Sequence, residues 1–403
     1  METLVQLTRY IKDKIKSYSL NEYVILSFIV AAFISPYLMG GMMVLLPLFM
    51  LLSGQIKKAL PKDKFSYILF VFAIAALIGT FLYGKDGSVQ NYEMKSLYAK
   101  VLAIGIFILI FDIFFFINIM TKKAFRLSLK TAAVLSIVIN FYAHIQMHFG
   151  WYADPERRFG RVASVFLNEN YYGTALEFLA IIIFYLMFKE KKLINQLIYA
   201  ALFAFNAWGL WLCQTRASYV TVCVCMFLFL FIYKRRISYV ILSALVVVAL
   251  VLIKNPSVLP RFLDIMRDLD FRTVIWKASL TEFMKNPLIG RGYFSYSFVW
   301  MDYVETLGAF PALHTHNLYI EMLLNFGILG TLPLVAYVLR SCYLCMKRCI
   351  QSKDKLSLAL VVSAICAVGL HGMLDTTIFW PQTGIFAVLI LSCPHVYAKE
   401  EEQ

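Results

Sequence analysis

The amino-acid sequence predicts an all-α, polytopic membrane protein, and two observations carry this prediction. Hydrophobic residues make up 61% of the 403 residues, and the mean hydropathy of +0.72 is far above that of a soluble domain. The apolar residues also fall in many long runs, and an α-helix needs about 20 apolar residues to cross a bilayer. A soluble globular class is therefore excluded.

The apolar runs predict about twelve transmembrane helices. The first two runs are short and are separated by Ser35-Pro36, so a single kinked helix is an alternative to two helices. Polar connections, many with Pro or Gly, bound the other runs. The predicted helices cover residues 21–36, 38–53, 65–83, 97–120, 127–148, 171–188, 193–212, 216–233, 237–253, 317–341, 356–372 and 378–396.

Lysine-rich connections occur at every second position between the predicted helices. Because basic loops stay in the cytoplasm, this alternation places both termini there. The polar segment 1–20 is basic, and no small-residue cleavage site follows the first apolar run, so no cleavable signal peptide is predicted. The lysine-rich connections lie around residues 57–64, 122–126, 189–192, 234–236 and 347–355.

One connection on the opposite face, residues 254–316, is far longer than the others. It is too polar, and too often broken by Pro and Gly, to span a bilayer. Apolar spacing over 262–269 and over 271–285 predicts two amphipathic helices lying at the membrane interface, the second ended by Asn286-Pro287. We interpret residues 1–403 as a single membrane domain that works where this extracytoplasmic loop meets the helices.

The basic residues on the loop side are mainly arginines, whereas the cytoplasmic connections are mostly lysine. Positive-inside charge does not explain arginine on this side, and the planar guanidinium binds phosphate oxygens in a bidentate manner. The alternative is that these arginines pair with neighbouring carboxylates or touch lipid phosphates. They are Arg157, Arg158, Arg161, Arg216, Arg261, Arg267, Arg272 and Arg291.

His316 is the strongest candidate for acid–base chemistry. It stands at the mouth of a predicted membrane helix, beside His314 and Asn317. An imidazole with an ordinary pKa of about 6.5 can accept a proton near neutral pH. The alternative is a capping or hydrogen-bonded histidine. A zinc site would need further ligands, for which the sequence offers only the distant Asp302, Glu305 and Glu321.

Three arginines are candidates for anion binding. Arg216 lies at the membrane surface between two apolar stretches, where an arginine is costly unless it pairs or faces water; snorkelling to headgroups is the alternative. Arg272 lies on the second predicted loop helix. Arg291 lies in the glycine-flanked segment 287–292, where backbone N–H groups could help to hold an anion, although a plain turn is equally compatible.

Two further polar segments lie on the same side. Arg161 and Asn170 lead into a predicted helix, with helix capping by Asn170 as the alternative to substrate binding. His371 and Asp375, four residues apart near the end of the penultimate helix, could pair with each other.

Several function classes are excluded or disfavoured. No nucleotide-binding, dinucleotide-binding, zinc-protease or nucleophile-elbow motif is present, so no cofactor is predicted. The net charge of +14 reflects topology rather than nucleic-acid binding, because no basic-aromatic module lies in a polar segment. Cys342, Cys345 and Cys349 stand at a membrane helix end without a second ligand cluster, so no metal site is predicted.

These motifs, in this order, resemble the bacterial O-antigen ligase and O-antigen polymerase superfamily over about residues 160–380. Each motif is short, and the order together with the large loop makes the combination specific. The matching segments are Phe166-Leu167-Asn168-Glu169-Asn170, Thr215-Arg216-Ala217-Ser218, Arg272 with Trp276 and Phe283, Asn286-Pro287-Leu288-Ile289-Gly290-Arg291-Gly292, His316-Asn317-Leu318-Tyr319, and Asn325-Phe326-Gly327-Ile328-Leu329-Gly330.

The resemblance implies a metal-independent glycosyltransferase with a GT-C-like helical fold in the bacterial inner (cytoplasmic) membrane. Such an enzyme moves a glycan from a polyprenyl (undecaprenyl) diphosphate donor to the hydroxyl of a lipid-anchored or glycan acceptor at the outer face of this inner membrane. His316 would match the catalytic histidine, although the neighbouring His314 leaves the choice of base open. Arg216 and Arg272 would match the arginines that hold the diphosphate. Arg161, Asn170, Arg291, His314 and Asn317 are candidate substrate-binding residues.

Two alternatives stay open. The motifs do not separate a ligase from a polymerase; a compact chain with one dominant loop favours a ligase. A lipid-linked oligosaccharide transporter would place ionisable residues near the bilayer midplane, and Asp112 and Glu177 lie in apolar runs, but no repeated half is evident.

Overall fold

The computed structural model describes residues 19–83, 92–151, 160–255 and 265–393, and within these ranges all regular structure is helical. Eight helices in these ranges are long and apolar enough to cross a membrane, by length and composition, and three shorter apolar helices accompany them. The prediction of an all-α, polytopic membrane protein is therefore confirmed.

Thirteen principal helices are labelled here in chain order. They are α1 (Leu20–Ala32), α2 (Pro36–Leu52), α3 (Ile68–Tyr83), α4 (Tyr92–Ile119), α5 (Lys122–Phe149), α6 (Glu169–Lys189), α7 (Leu193–Cys213), α8 (Arg216–Tyr233), α9 (Arg235–Lys254), α10 (Ile265–Lys285), α11 (Leu318–Gln351), α12 (Lys355–Gly372) and α13 (Pro381–Leu391).

Each predicted apolar run contains one of these helices. The first two runs form two helices rather than one kinked helix, because Ser35 caps α2 by accepting hydrogen bonds from the N–H groups of Tyr37 and Leu38, and Pro36 occupies the first helical position. The number of spans, about twelve, stays a prediction, since α1, α2 and α13 are shorter than a typical spanning helix.

Helix α6 lies at the centre of the bundle. Its residues from Tyr171 to Leu186 are all buried, and α5, α7, α8, α12 and α13 pack around it. A helix that is apolar on every face suits a protein core or a bilayer, and here neighbouring helices cover it. The N-terminal end of α6 is consequently held in a fixed position, and this end carries Asn170.

The large polar connection contains one long helix, where the sequence predicted two. Helix α10 runs without a break from Ile265 to Lys285, so the predicted division near residue 270 is wrong, whereas the predicted end before Asn286 is confirmed. The apolar position Phe262 lies outside the described residues. Three short helical segments follow, Tyr296–Val299, Trp300–Tyr303 and Val304–Leu307.

Helix α11 is broken at Gly327, whose φ of 58° and ψ of −168° are non-helical. The break separates the carbonyl groups of Leu324 and Asn325 from the N–H groups of Ile328 and Leu329, which would bond them in a continuous helix. Because the hydrocarbon core of a bilayer offers no water as a substitute, these carbonyl and N–H groups need other hydrogen-bond partners.

The segment 287–292 supplies those partners. The N–H groups of Arg291 and Gly292 donate to the carbonyls of Leu324 and Asn325 at 2.8 and 2.9 Å. In return, the N–H groups of residues 328 and 329 donate to the carbonyls of Pro287 and Leu288 at 2.9 Å each. This segment therefore replaces the lost helical bonds one for one and fixes α10 against α11.

Candidate functional site

The candidate site centres on Asp375, in the short connection between α12 and α13. This residue is 3% exposed. Its Oδ1 lies 3.1 Å from Nε2 of His314 and 3.6 Å from Nδ1 of His316, and it accepts a hydrogen bond of 2.7 Å from the backbone N–H of Thr376. One buried carboxylate thus contacts both histidines at the start of α11.

The second carboxylate oxygen of Asp375 joins the cluster to α6. Asn170 Nδ2 donates to Oδ2 at 2.6 Å, and Asn170 Oδ1 accepts a hydrogen bond of 3.1 Å from Arg161. The alternative that Asn170 caps α6 is wrong, because the N-cap is Asn168. The structure therefore brings four predicted site residues together, namely Arg161, Asn170, His314 and His316.

Arg161 connects the starts of α6 and α8. Its side chain, 11% exposed, lies 3.8 Å from a carboxylate oxygen of Glu169. It also donates to the carbonyl of Cys213 at 3.0 Å and to Oγ1 of Thr215 at 3.3 Å. These internal contacts support a positioning role for Arg161. Arg216 follows Thr215 directly, as the first residue of α8.

The backbone of His316 adopts a left-handed conformation, with φ of 52°. This region is uncommon for a residue other than glycine, and such strain persists where surrounding contacts enforce it. Asn317 caps α11 by accepting hydrogen bonds from Tyr319 and Ile320 N–H groups, and its Nδ2 donates to the carbonyl of Met373 at 3.0 Å. These contacts support a capping role for Asn317.

Helix α10 reaches the same turn. The indole Nε1 of Trp276 donates to the carbonyl of Thr315 at 3.0 Å. Arg272 lies one helical turn earlier. Burial, and to a smaller extent the charge of Arg272, act to lower the pKa of His314, although Asp375 outweighs them and that pKa is raised. The predicted anion-binding Arg272 is therefore within electrostatic reach of the histidines.

Arg291 is engaged away from this cluster. Its Nε lies 2.8 Å from Glu282 Oε1, and Glu282 is 1% exposed. Burial raises the pKa of Glu282, but hydrogen bonds from Lys285 and Tyr303 outweigh it, and the pKa is lowered overall. A buried ion pair of this kind supports a role for Arg291 in holding α10 to the segment 287–292. Its part in substrate binding stays a prediction.

The other predicted arginines divide by what the structure describes. Arg157, Arg158 and Arg261 lie outside the described residues, and the side chain of Arg267 is likewise outside them. Arg216 and Arg272 are both partly exposed.

A second buried polar group lies deeper in the bundle. His371 Nδ1 lies 2.6 Å from Glu177 Oε1, and Nε2 lies 3.2 Å from Oγ1 of Thr174. The side chain of His371 thus pairs with Glu177, and the alternative pairing with Asp375 is wrong. A cavity of about 10 Å³, close to the volume of one water, lies between this group and Asp375.

Burial and ion pairing oppose each other within the cluster. Burial raises the pKa of Asp375, but the hydrogen bond with His314 and the close approach of His316 outweigh burial and hold that pKa well below its usual range. Burial lowers the pKa of His314, but Asp375 outweighs it and the pKa is raised. The His316 side chain is 29% exposed, against 13% for His314. His316 is consequently the more accessible imidazole, and His314 is the more enclosed partner of Asp375.

The same three residues could hold a metal ion. One ligand atom from each of His314, His316 and Asp375 lies within 4.8 Å of the others. The sequence-based search for zinc ligands missed Asp375, which is distant in sequence from both histidines. A divalent cation at this cluster is therefore an alternative to direct hydrogen bonding.

Residues 200–335 match the family model described as O-antigen ligase. The resemblance to the O-antigen ligase superfamily is confirmed. The segment matching the O-antigen ligase model contains Arg216, Arg272 and His316, whereas Asn170 and Asp375 lie outside it. No curated protein matches the chain.

The match to the O-antigen ligase model supports activity of the O-antigen ligase or polymerase type in general, which implies a lipid-linked glycan donor and an acceptor as partners. The apolar helices and the family together indicate a multi-pass membrane protein of polysaccharide biosynthesis.

Proposed function

We propose that this protein transfers a glycan from a polyprenyl diphosphate donor to an acceptor hydroxyl, as an O-antigen ligase at the outer face of the bacterial inner membrane. The observation that carries the proposal is the convergence of His314, His316 and Asn170 on the buried carboxylate of Asp375. The two histidines lie just before α11, within the segment that matches the O-antigen ligase model.

In this mechanism His316 removes the proton from the acceptor hydroxyl, and Asp375 stabilises the imidazolium that forms. The hydroxyl oxygen attacks the anomeric carbon, the bond from that carbon to the diphosphate oxygen breaks, and polyprenyl diphosphate leaves with the electron pair. Arg216 and Arg272 meet the charge that develops on the diphosphate, since guanidinium groups bind phosphate oxygens strongly in a partly dehydrated site.

Replacement of His316 by alanine is expected to lower kcat for glycan transfer by roughly 10²–10⁴-fold, because a positioned general base contributes about that factor. His314→Ala should lower kcat less, since His314 is the more enclosed of the two imidazoles. Initial rates are measured with purified protein, a polyprenyl-diphosphate glycan and a lipid-anchored acceptor glycan, by release of free polyprenyl diphosphate.

His148→Ala is the matched control, because His148 is an exposed histidine near the end of α5. Full turnover by the His316 variant would refute its role as base, and a larger loss in the His314 variant would move that role to His314. Transfer of the glycan to a second polyprenyl-diphosphate-linked glycan, rather than to the lipid-anchored acceptor, would identify a polymerase.

Chelation is expected to leave the transfer rate unchanged. Asp375 already accepts hydrogen bonds at both oxygens, and arginines suffice to neutralise a leaving diphosphate. The rate is measured after dialysis against a strong chelator, together with the metal content of the protein. Loss of activity on chelation that Mn²⁺ or Zn²⁺ restores in the wild type, but not in the His314→Ala variant, would establish a metal at the cluster instead.

A further inference from the structure

We propose that Trp276 is a positioning residue that holds the catalytic histidine through the backbone of the preceding residue, and thereby couples donor binding on α10 to the base. This inference rests on the proposed function and deepens it. Trp276 touches neither reacting group; it acts on the peptide unit that joins Thr315 to His316.

The first observation is the contact itself. Trp276 Nε1 donates to the carbonyl of Thr315 at 3.0 Å, and Thr315 is fully buried. That carbonyl belongs to the peptide whose N–H is that of His316. A hydrogen bond to it restricts rotation of this peptide plane, and therefore the direction in which the Cα–Cβ bond of His316 leaves the chain.

The second observation is the strained backbone at this position. His316 is held at φ of 52°, a conformation that strains a residue other than glycine and persists only when neighbouring contacts impose it. The turn supplies some of this constraint locally, through the Thr315 N–H bond to Glu321 at 2.7 Å and the Thr315 Oγ1 bond to the carbonyl of Asn317 at 2.9 Å. The bond from Trp276 adds a constraint from a different helix.

The third observation is the placement of Arg272. It lies four residues before Trp276 on α10, so the two side chains share one face of the helix and their Cα atoms are separated by about 6 Å along its axis. A diphosphate bound to Arg272 and a peptide held by Trp276 are consequently linked by a single rigid turn.

The fourth observation is that α10 is anchored at the end of the helical turn that runs from Arg272 to Trp276. Ile275 and Ala278 are buried in a cluster with Tyr296 and Leu324, and Trp276 packs against that cluster. The part of α10 that carries Trp276 is therefore packed against α11. A shift of α10 on donor binding would reach the His316 backbone through the indole.

The test removes the indole N–H alone. The protein is made with 3-benzothienylalanine at position 276, which places sulfur where tryptophan has N–H and keeps the shape of the ring. We expect kcat to fall about tenfold or more, with KM for the lipid-linked donor changed less than twofold, because small misplacements of a catalytic group reduce the rate without weakening binding.

A second readout does not need turnover. Hydrogen exchange of the peptide that contains residues 315–317 should become faster in the analogue protein than in the wild type. The same replacement at Trp211, an exposed tryptophan of α7, is the control and should change neither kinetics nor exchange in this peptide. Trp276→Phe, which also lacks the donor, should reproduce the loss in kcat.

The outcomes separate this inference from the proposed function. Unchanged kcat together with unchanged exchange in the analogue protein would overturn the positioning role. A rise in KM for the donor with no fall in kcat would also overturn the positioning role, since Trp276 would then contribute to donor binding alone. Absence of glycan transfer by the wild type would refute the proposed function, whereas faster exchange at residues 315–317 would still support the structural link.

Discussion

Replacement of Gly327 by alanine is expected to prevent the protein from accumulating in folded form. A Cβ atom at this position would lie 2.4 Å from the carbonyl oxygen of Leu288 and 2.5 Å from the N atom of Gly290. The Leu288 carbonyl accepts the N–H of Leu329 across the break in α11, and the Gly290 N–H donates to the carbonyl of Asn286, so neither backbone group can move away cheaply. The φ of 58° with ψ of −168° adds strain, because that region is accessible essentially to glycine alone.

We expect the combined cost to exceed about 4 kcal/mol, the range of exceptional single substitutions. The measurement is the yield of monodisperse detergent-solubilised protein and its thermal unfolding, with a melting temperature lowered by at least roughly 8 °C if any folded protein is recovered. Gly105→Ala is the control, since a Cβ at Gly105 in α4 would meet nothing within 4 Å. Equal melting temperatures for the two variants would show that the segment 287–292 does not hold the break.

The helices were predictable from the sequence because their signal is local. Apolar runs placed a helix in each expected position, and Asn286-Pro287 correctly marked the end of α10. The same kind of local pattern predicted a wrong helix boundary within α10. A change of apolar face near residue 270 predicted a boundary, but packing against α11 and the short helices of the loop maintains one continuous α10.

The break in α11 was not predictable, because it depends on contacts between segments that are distant in sequence. Residues 325–330 read as part of a continuous apolar run, and the partners that make the break possible lie in another segment of the chain. Glycine at 290, 292 and 327 was the available signal: each has positive φ and each is closely approached by other backbone. Glycines in two separate segments do not reveal from sequence alone that the segments meet.

The site shows the same division. His316, Arg216 and Arg272 were identified from the sequence because ionisable groups at a membrane boundary are energetically costly and therefore indicate a functional site. Asp375 did not, because its role depends on contacts with His314 and Asn170, which lie 61 and 205 residues away in the chain. Trp276 matched a family motif, but its function in the turn became visible only from the bond to Thr315.

Asp375→Asn is expected to lower kcat by roughly 10²–10⁴-fold while leaving the protein folded, because the carboxylate both orients the imidazoles and stabilises the charge that forms on His316. The amide is nearly isosteric, but it lacks the charge and presents an NH₂ group. If that group faced Asn170 Nδ2, now 2.6 Å away, two donors would meet. If it faced the histidines instead, the acceptor at their shared oxygen would be lost.

The measurement is the initial rate of glycan transfer at saturating donor, with thermal unfolding of the same preparation. Asp302→Asn is the matched control, the same isosteric change at an exposed aspartate of the large connection 254–316, and it should leave kcat within about twofold of the wild-type value, as expected for a surface change far from special contacts. Full kcat in the Asp375 variant would show that His316 needs no carboxylate partner. The buried cluster would then be a structural link between α6, α11 and α12, and the acceptor proton would have to be removed by another group.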